Sequence, residues 1–314
     1  MNKVVVVLGP TASGKSALGV ELALRFNGEI VSADSMQVYK NMNIGTAKIN
    51  DQGKKGIRHH LIDILDPSEE FSLADYLDLA NKAVKDIVSR NKLPIIVGGT
   101  GLYISSFTEN IKLSPSKADN EYRSFLNDFA VKNSPYELKQ LLRSVDAQSY
   151  FKLNENDIKR ISRALEIYRA EGKTVDEFNK ISKQNPEYDF IKFGLNALNR
   201  DLLYTRINQR VDMMMAQGFL SEVISLSSCN ISATAYQAIG YKQLFEYLSG
   251  SITLHDAVEQ IKQESRRYAK RQITWFKKDK SIIWHNIDTN NFEEILNSCS
   301  KHMEKFLKVC YNRY

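Results

Sequence analysis

The sequence predicts an α/β protein: a parallel sheet built around a phosphate-binding loop and interrupted by an all-helical insertion. Three observations carry that expectation. Short apolar runs rich in β-branched residues, among them Val4 to Leu8 and Ile95 to Val97, have the near-continuous hydrophobicity of strands buried on both faces. The first run passes directly into Gly9-Pro10-Thr11-Ala12-Ser13-Gly14-Lys15-Ser16 and then into a helical stretch, the context that a GxxxxGK(S/T) phosphate loop requires. From about residue 118 to residue 188 strand character disappears, and it returns at Tyr188. The chain therefore divides into 1–115, the first part of the core, 116–188, the insertion, and 189–314, the second part of the core.

The loop has a direct physical meaning. Backbone N–H groups of the loop and of the helix that starts at its end converge on one spot and favour an anion there. Lys15 adds a point charge, and the Ser16 hydroxyl can reach a magnesium ion. A diphosphate or polyphosphate is expected at this loop, without saying which. Asp34 closes the second run, Glu29 to Asp34, and should lie near the loop, because the carboxyl ends of parallel strands carry the site. On spacing, three roles fit it: a cap of backbone groups, a magnesium ligand, or a general base.

Asn43 to Lys48 reads as a turn, and Arg58 to Asp66 as a short strand ended by Pro67. His59 and His60 are adjacent, yet no third ligand is spaced to make a metal site of them. Ser72 reads as an N-cap with Asp75 three residues on, and Leu73, Tyr76, Leu77, Ala80, Val84, Ile87 and Val88 form the inward stripe of the helix that follows. The strand Lys92 to Val97 ends in Gly98-Gly99-Thr100, where an NTPase strand often carries an acidic residue. Glycines let backbone approach a ligand closely, and Thr100 offers a hydroxyl at the same edge.

In the insertion, helices are expected at Glu121 to Val131, Tyr136 to Arg143 and Asp157 to Ala170. On the last, Ile158, Ile161, Leu165 and Tyr168 share a face, while Lys159, Arg160, Arg163 and Arg169 lie largely elsewhere. That basic face suits either solvent or nucleic acid. After the strand Tyr188 to Leu195, a helix from Asn199 to Gln217 stops at Gly218. It carries Arg206 and Arg210 four apart, a spacing open to a phosphate clamp and equally to two solvated arginines. Gln237 to Lys242 is a glycine-broken turn. Residues 254–278 form a long helix with Lys262, Arg266, Arg267, Lys270, Arg271, Lys277 and Lys278, interleaved with Tyr268, Trp275 and Phe276. Cations beside aromatics suit phosphates and stacked bases. Ser281 to His285 is a last strand, and a helix closes the chain.

Composition bounds the class. A hydrophobic content of 43% and a charged content of 25% are ordinary for a globular enzyme. The net charge of +6 permits a nucleic-acid partner. No run of 18 apolar residues occurs, so no membrane span is expected. The sequence opens on a strand, which sets the expectation of no signal peptide. Cys229, Cys299 and Cys310 are far apart, which argues against structural zinc and suits a reducing cytoplasm.

Seven stretches taken together carry a family resemblance: GPTASGKS (9–16), SADSMQVYKNMNIGTAK (32–48), HHLIDILDP (59–67), PIIVGGTGLY (94–103), ISRALEIY (161–168), GYKQ (240–243) and AKRQITWFKK (269–278). In this order, over almost the whole chain, they resemble the tRNA dimethylallyltransferases, the bacterial tRNA isopentenyltransferase family. The resemblance implies a P-loop core similar to nucleotide kinases, with a helical insertion that contacts tRNA. It implies transfer of a dimethylallyl group from dimethylallyl diphosphate to the exocyclic N6 amine of the adenosine 3′-adjacent to the anticodon, with release of diphosphate. Lys15, Ser16 and the loop backbone from Gly9 to Gly14 would hold the diphosphate, with Mg2+ at Ser16. Asp34 would take or orient the amine proton, Thr100 would sit between donor and base, and Arg206 or Arg210 would touch the diphosphate.

The same resemblance assigns tRNA contacts to Asp34, Ser35, Met36, Gln37, Thr100 and Arg123, and to Lys159, Arg160, Ile161, Ser162 and Arg163. It extends them to Gln237, Gly240, Lys242, Lys270, Arg271, Gln272, Trp275 and Lys277. The target base would be flipped into a pocket, which a single-stranded anticodon loop makes easier. The chain has Ser16 where many members have threonine, which keeps the hydroxyl, and the bacterial type, without the C-terminal zinc finger of eukaryotic members, is the expectation. A cytoplasmic monomer with no required protein partner is the expectation. A prenyltransferase of free adenine nucleotides, a P-loop kinase or NTPase, and a non-catalytic RNA-binding protein are the competing readings. The insertion and the basic helix weigh against the first, the glycines that end the strand at Val97 against the second, and the intact Lys15 and Ser16 against the third.

Overall fold

Strands β1 (Lys3–Leu8), β2 (Gly28–Ala33), β3 (His59–His60), β4 (Leu93–Gly98), β5 (Asp189–Asn196) and β6 (Ile282–Asn286) pair in the order β3-β2-β4-β1-β5-β6, every pairing parallel. The computed structural model describes residues 1–112 and 119–308. The expected boundary at Ser114-Pro115 and the third cysteine, Cys310, lie outside the described residues.

The β-branched run of β1 is buried on both faces, Val4 through Val7 without measurable exposure. Val5 and Val7 pack with Leu18 and Leu22 of the helix Lys15–Arg25, with Ile95 and Phe193, and with Leu296 and Met303 of the closing helix Phe292–Lys308. Val4 and Val6 alternate to the other face. Register then fixes the site. Leu8 lies level with Gly98 and Gly194, and Ala33 lies level with Gly98. The loops that follow β1, β2 and β4 therefore leave the sheet side by side, where parallel α/β sheets bind ligands.

The chain divides into two compact units, 1–108 with 187–314, and 109–186. The second is all-helical apart from a short antiparallel bridge, Ile111 with Lys183, flanked by an Asn110 Nδ2 hydrogen bond to Asn185 O at 2.7 Å and a Glu109–Lys183 ion pair at 3.0 Å. Those pairings place residues 109–112 and 183–186 with the helices. Its core holds Leu126, Leu138, Leu142, Ile161 and Leu165. Asp146, 1% exposed, accepts from Ser149 N and Oγ and from Val175 N, tying two helix starts together.

Three elements differ from the sequence reading. The expected strand from Arg58 shrinks to His59–His60, because Leu61 and Asp63 take left-handed φ values of 63° and 57°. The histidines are structural: His59 Nδ1 lies 2.9 Å from Ile57 O, and His60 Nε2 lies 2.8 Å from the buried Glu29 carboxylate, which also pairs with Arg90 and Lys92. The segment 136–143 breaks into Pro135–Gln140 and Leu142–Val145. Gly218, at φ 96°, does end the helix Arg200–Ala216, but it also opens an unforeseen one, Phe219–Ser227. The capping box at Ser72 forms as expected, with Asp75 Oδ2 accepting from Ser72 N at 2.9 Å. Among the described residues no helix is long and apolar enough to cross a membrane.

The unforeseen helix shapes the turn at 43–47. Glu222 accepts from Asn43 N, Ile44 N and Gly45 N at 2.9, 2.8 and 3.1 Å, and from the Tyr241 hydroxyl at 2.6 Å. Gly45 lies flat between Phe219 and Tyr241, and a Cβ there would come within 2.3 Å of the first ring and 2.5 Å of the second. Both rings are buried, Phe219 at 0% and Tyr241 at 1% exposed, with no open space to withdraw into. Gly45→Ala is expected to destabilise the fold by about 1–3 kcal/mol, read as a lower urea midpoint at unchanged m-value.

Candidate active site

The loop from Gly9 to Ser16 leaves β1 and turns sharply, with Ala12 at φ 62° and Gly14 at φ 87°, into the helix Lys15–Arg25. Thr11, Lys15 and Ser16 of this loop line a cavity of about 350 Å³. Lys15, Ser16, Asp34, Arg210 and Tyr268 line that cavity's polar part. Met214, Phe219, Ile239 and Ile261 contribute apolar wall. Thr11, Ser35, Met36, Gln37, Gln237, Arg271 and Gln272, all named from the sequence, line it as well.

Charge in the cavity is coupled, with the cations outnumbering the one carboxylate. Burial, and then the nearby Arg210, lowers the Lys15 ammonium to about 8, with Asp34 opposing the fall. Burial likewise lowers Arg210, again with Asp34 opposing. The two cations and the carboxylate thus sense one another across the space where a ligand would sit. Asp34 caps and faces the cavity at once. Its Oδ1 accepts from Met36 N at 3.0 Å, which fixes the carboxylate while it lines the cavity. Thr100 acts on the same loop: its Oγ1 accepts from Ser35 N at 3.2 Å, and its own N–H donates to Ala33 O at 3.1 Å.

Not every residue named from the sequence gathers here. Arg206 is exposed and lies beside Asp288, so the two arginines do not form a clamp; of the pair, only Arg210 lines the cavity. Four residues of helix offset the two side chains by about 40° and about 6 Å along the axis, and the cavity takes in the second while the first reaches solvent. Gly240 is buried against Phe219, and Phe276 is 3% exposed, so neither presents a surface for a base. Lys242 pairs loosely with Glu246 at 3.9 Å. Trp275 is exposed, at 38%, and lies against Gly101, its Nε1 donating to Ser105 Oγ at 2.8 Å; Lys270 and Lys277 are exposed too.

In the helical unit, Ile161 is fully buried and Ser162 is 6% exposed, so both face the core and not a partner. Arg123 and Arg163 both pair with the buried Glu166, Arg163 at 3.2 Å. Lys159 and Arg160 remain exposed, Arg160 beside Asp157 at 3.2 Å.

Besides the apolar wall, Tyr268 and Glu222 are contributors outside the site residues that the sequence points to. Local pattern marks Tyr268 only as an aromatic between cations. It lines the cavity beside Asp34, Thr100 and Gln272, and burial, then Asp34, pushes its phenol up to about 12. Glu222 is remote in sequence from the turn it holds, and nothing local marks it.

A parallel sheet whose phosphate loop shares a cavity with a carboxylate, an arginine and an apolar wall defines an enzyme of the P-loop, kinase-like class that handles a phosphate ester with an apolar portion. The family model described as IPP transferase matches residues 37–279. A tRNA dimethylallyltransferase of Thermoanaerobacter sp. (strain X514) is 48% identical over 306 residues, covering 96% of this chain and 97% of its own. The crystal structure of the full-length tRNA isopentenylpyrophosphate transferase of Bacillus halodurans is similar at TM-score 0.73 and 38% identity, over 99% of this chain and 100% of that one. A eukaryotic dimethylallyltransferase acting on tRNA is similar at TM-score 0.80 and 30% identity, over 97% of this chain and 80% of that one. The chain belongs to the IPP transferase family.

The Lys15 balance has a measurable consequence. Its ammonium is charged below about pH 8 and neutral above, so the free enzyme should lose anion affinity as pH rises through that value. The kcat/KM for a diphosphate donor is expected to fall above about pH 8, and Lys15→Arg to shift that limb upward by removing the titration.

Proposed function

We propose that the chain transfers a dimethylallyl group from dimethylallyl diphosphate to the N6 amine of the adenosine 3′-adjacent to the anticodon in tRNA. The observation that carries this reading is the single cavity in which Lys15, Ser16 and Arg210 stand with Asp34 in a member of the IPP transferase family. The cations and loop amides suit the diphosphate, and the apolar wall suits the five-carbon chain. Asp34 suits the amine. As the N6 lone pair forms the new N–C bond, the C1–O bond of the donor breaks and its electrons leave with the diphosphate. The proton released from nitrogen passes to the Asp34 carboxylate. Lys15, Arg210 and the helix N-terminus stabilise the charge that develops on the departing oxygen.

Mg2+ fits the Ser16 position. Among the described residues no group of three His, Cys, Asp or Glu could hold a metal by itself, and Ser16 lines the cavity beside the loop. An ion that keeps most of its water and takes one protein hydroxyl plus phosphate oxygens matches that donor set. When bound, it would offset the diphosphate's charge. A donor without a γ-phosphate also accords with β4, which ends in glycine instead of a carboxylate.

The helical unit is assigned to tRNA through the exposed Lys159 and Arg160, and the long helix Leu254–Phe276 through Arg271 and Trp275. The cytoplasm is the matching compartment. Base extrusion into the cavity costs a few kcal/mol.

One reaction tests the reading: labelled dimethylallyl diphosphate and magnesium, offered unmodified tRNA or AMP, with product nucleosides read by mass spectrometry. Label on tRNA adenosine alone is expected. Label on AMP would assign the enzyme to free nucleotides, and ATP hydrolysis without label would make the loop an ordinary NTPase loop. In the same assay Asp34→Asn is expected to lose transfer by about 10²–10⁴-fold while tRNA binding is kept. Reversing Lys159 and Arg160, and leaving Arg163 on Glu166, should flatten the salt dependence of tRNA binding, by about 0.7–0.9 in slope for each phosphate no longer neutralised.

A further inference from the structure

Gln272 sits on the long helix Leu254–Phe276 and is 5% exposed, although its neighbours Lys270 and Arg271 are exposed. Both ends of its side-chain amide bind backbone. Oε1 accepts from Thr11 N at 2.9 Å, inside the phosphate loop. Nε2 donates to Gly99 O at 2.9 Å, in the turn after β4. The fit is close: a Cβ on Gly99 would lie 2.2 Å from Gln272 Nε2, so the glycine there makes room for this amide.

The position of the contact gives it consequence. β1 and β4 are neighbours, and their register ends at Leu8 and Gly98. Past those residues the sheet ladder no longer links the two loops, and Gln272 does. The phosphate loop is anchored one residue before Ala12, whose φ of 62° is costly for a residue with a side chain. On the other side, Gly99 leads into Thr100, whose Oγ1 accepts from Ser35 N, adjacent to Asp34. Thr11, Gln272, Gly99, Thr100 and Ser35 thus form one path of hydrogen bonds and covalent links from the loop of Lys15 to the loop of Asp34. The family resemblance places Gln272 among tRNA contacts, but its amide is already bound to backbone at both ends and buried.

We propose that Gln272 is a positioning residue for the transfer, holding the loop that carries the donor diphosphate in register with the loop that carries Asp34. This rests on the transferase reading above. The amide fixes where the breaking C–O bond lies relative to the carboxylate that accepts the amine proton. Misplacement of reacting groups by about 1 Å costs roughly 10²-fold in rate.

The test compares the full-length parent with Gln272→Ala and Gln272→Glu. For Gln272→Ala, kcat is expected to fall about 10- to 100-fold with KM for tRNA unmoved. In Gln272→Glu the carboxyl keeps the Thr11 bond, but when ionised it turns an oxygen lone pair toward the Gly99 carbonyl. When protonated it donates there as the amide does. Burial raises that carboxyl's pKa, so the variant-to-parent rate ratio is expected to rise as pH falls through it. Hydrogen exchange reads the contact without activity: the Thr11 amide should exchange about tenfold faster in Gln272→Ala. A raised KM for tRNA at unchanged kcat would return Gln272 to RNA contact. A kcat loss with a flat variant-to-parent ratio and unchanged Thr11 exchange would make it a packing residue only. If the parent itself transfers nothing, the transferase reading fails, and the Thr11 exchange alone then decides whether the clamp exists.

Discussion

Parallel register at the carboxyl edge of the sheet is the constraint on which the rest depends. Leu8, Ala33 and Gly98 are level because β1, β4 and β2 pair without offset. A parallel ladder shifted by one residue would also turn the buried valines of β1 to the opposite faces, so burial enforces this register strongly. Everything chemical follows from that alignment. The phosphate loop, the Asp34 loop and the Gly99–Thr100 turn are brought together by strands, whose positions vary little, and are then trimmed by side-chain bonds from Thr100 and Gln272.

Those bonds matter because the cavity's charges are poised against each other. Two cations, Lys15 and Arg210, are each held down by burial, and one carboxylate, Asp34, partly compensates them. Without a ligand the positive charge is in excess and under-solvated. An anionic ligand relieves that imbalance, which is a reason for an incoming diphosphate to bind where it does. Loss of the diphosphate restores the excess, so the leaving group is stabilised by groups already oriented before it forms.

Much of this is legible in the sequence, and the failures have physical causes. The phosphate loop and Asp34 are readable because each is local: a motif or a carboxylate at a strand end, with the strand visible in its own residues. The capping box at Ser72 is local in the same way. Ile161 shows two kinds of inference in conflict. Helical periodicity puts it on the inward face with Ile158 and Leu165, while resemblance puts it on a tRNA surface, and the buried side chain follows periodicity. Gln272 looks like one more polar residue on a basic helix. Its partner Thr11 is 261 positions away, and no local pattern encodes such a pairing. Glu222 is invisible for the same reason, and its helix is hidden because Gly218, correctly read as a stop, is also a start.

Counting basic residues along a helix overstates how many can meet a polyanion. On Leu254–Phe276, Lys262 is held by Asp212 at 2.8 Å and Glu259 at 3.0 Å, Arg267 by Glu264 at 2.6 Å, and Arg266 donates to Asn208 at 2.6 Å. Lys262 and Arg267 are matched inside the protein and contribute little to an outside field, whereas Arg266 is tethered by a neutral amide and keeps its charge. The last turns differ. Lys270, Arg271 and Lys277 are exposed, and Lys278 lies 5.7 Å from the Trp275 ring. The unmatched charge of the helix therefore lies in its C-terminal half, from Arg266 onward, and its last turns also offset the helix dipole. That is the same half from which Arg271 and Gln272 reach the cavity wall. A polyanion drawn to this charge would arrive next to the loops that Gln272 holds together. The same helix would then serve both as the electrostatic approach to the cavity and as the brace of its geometry.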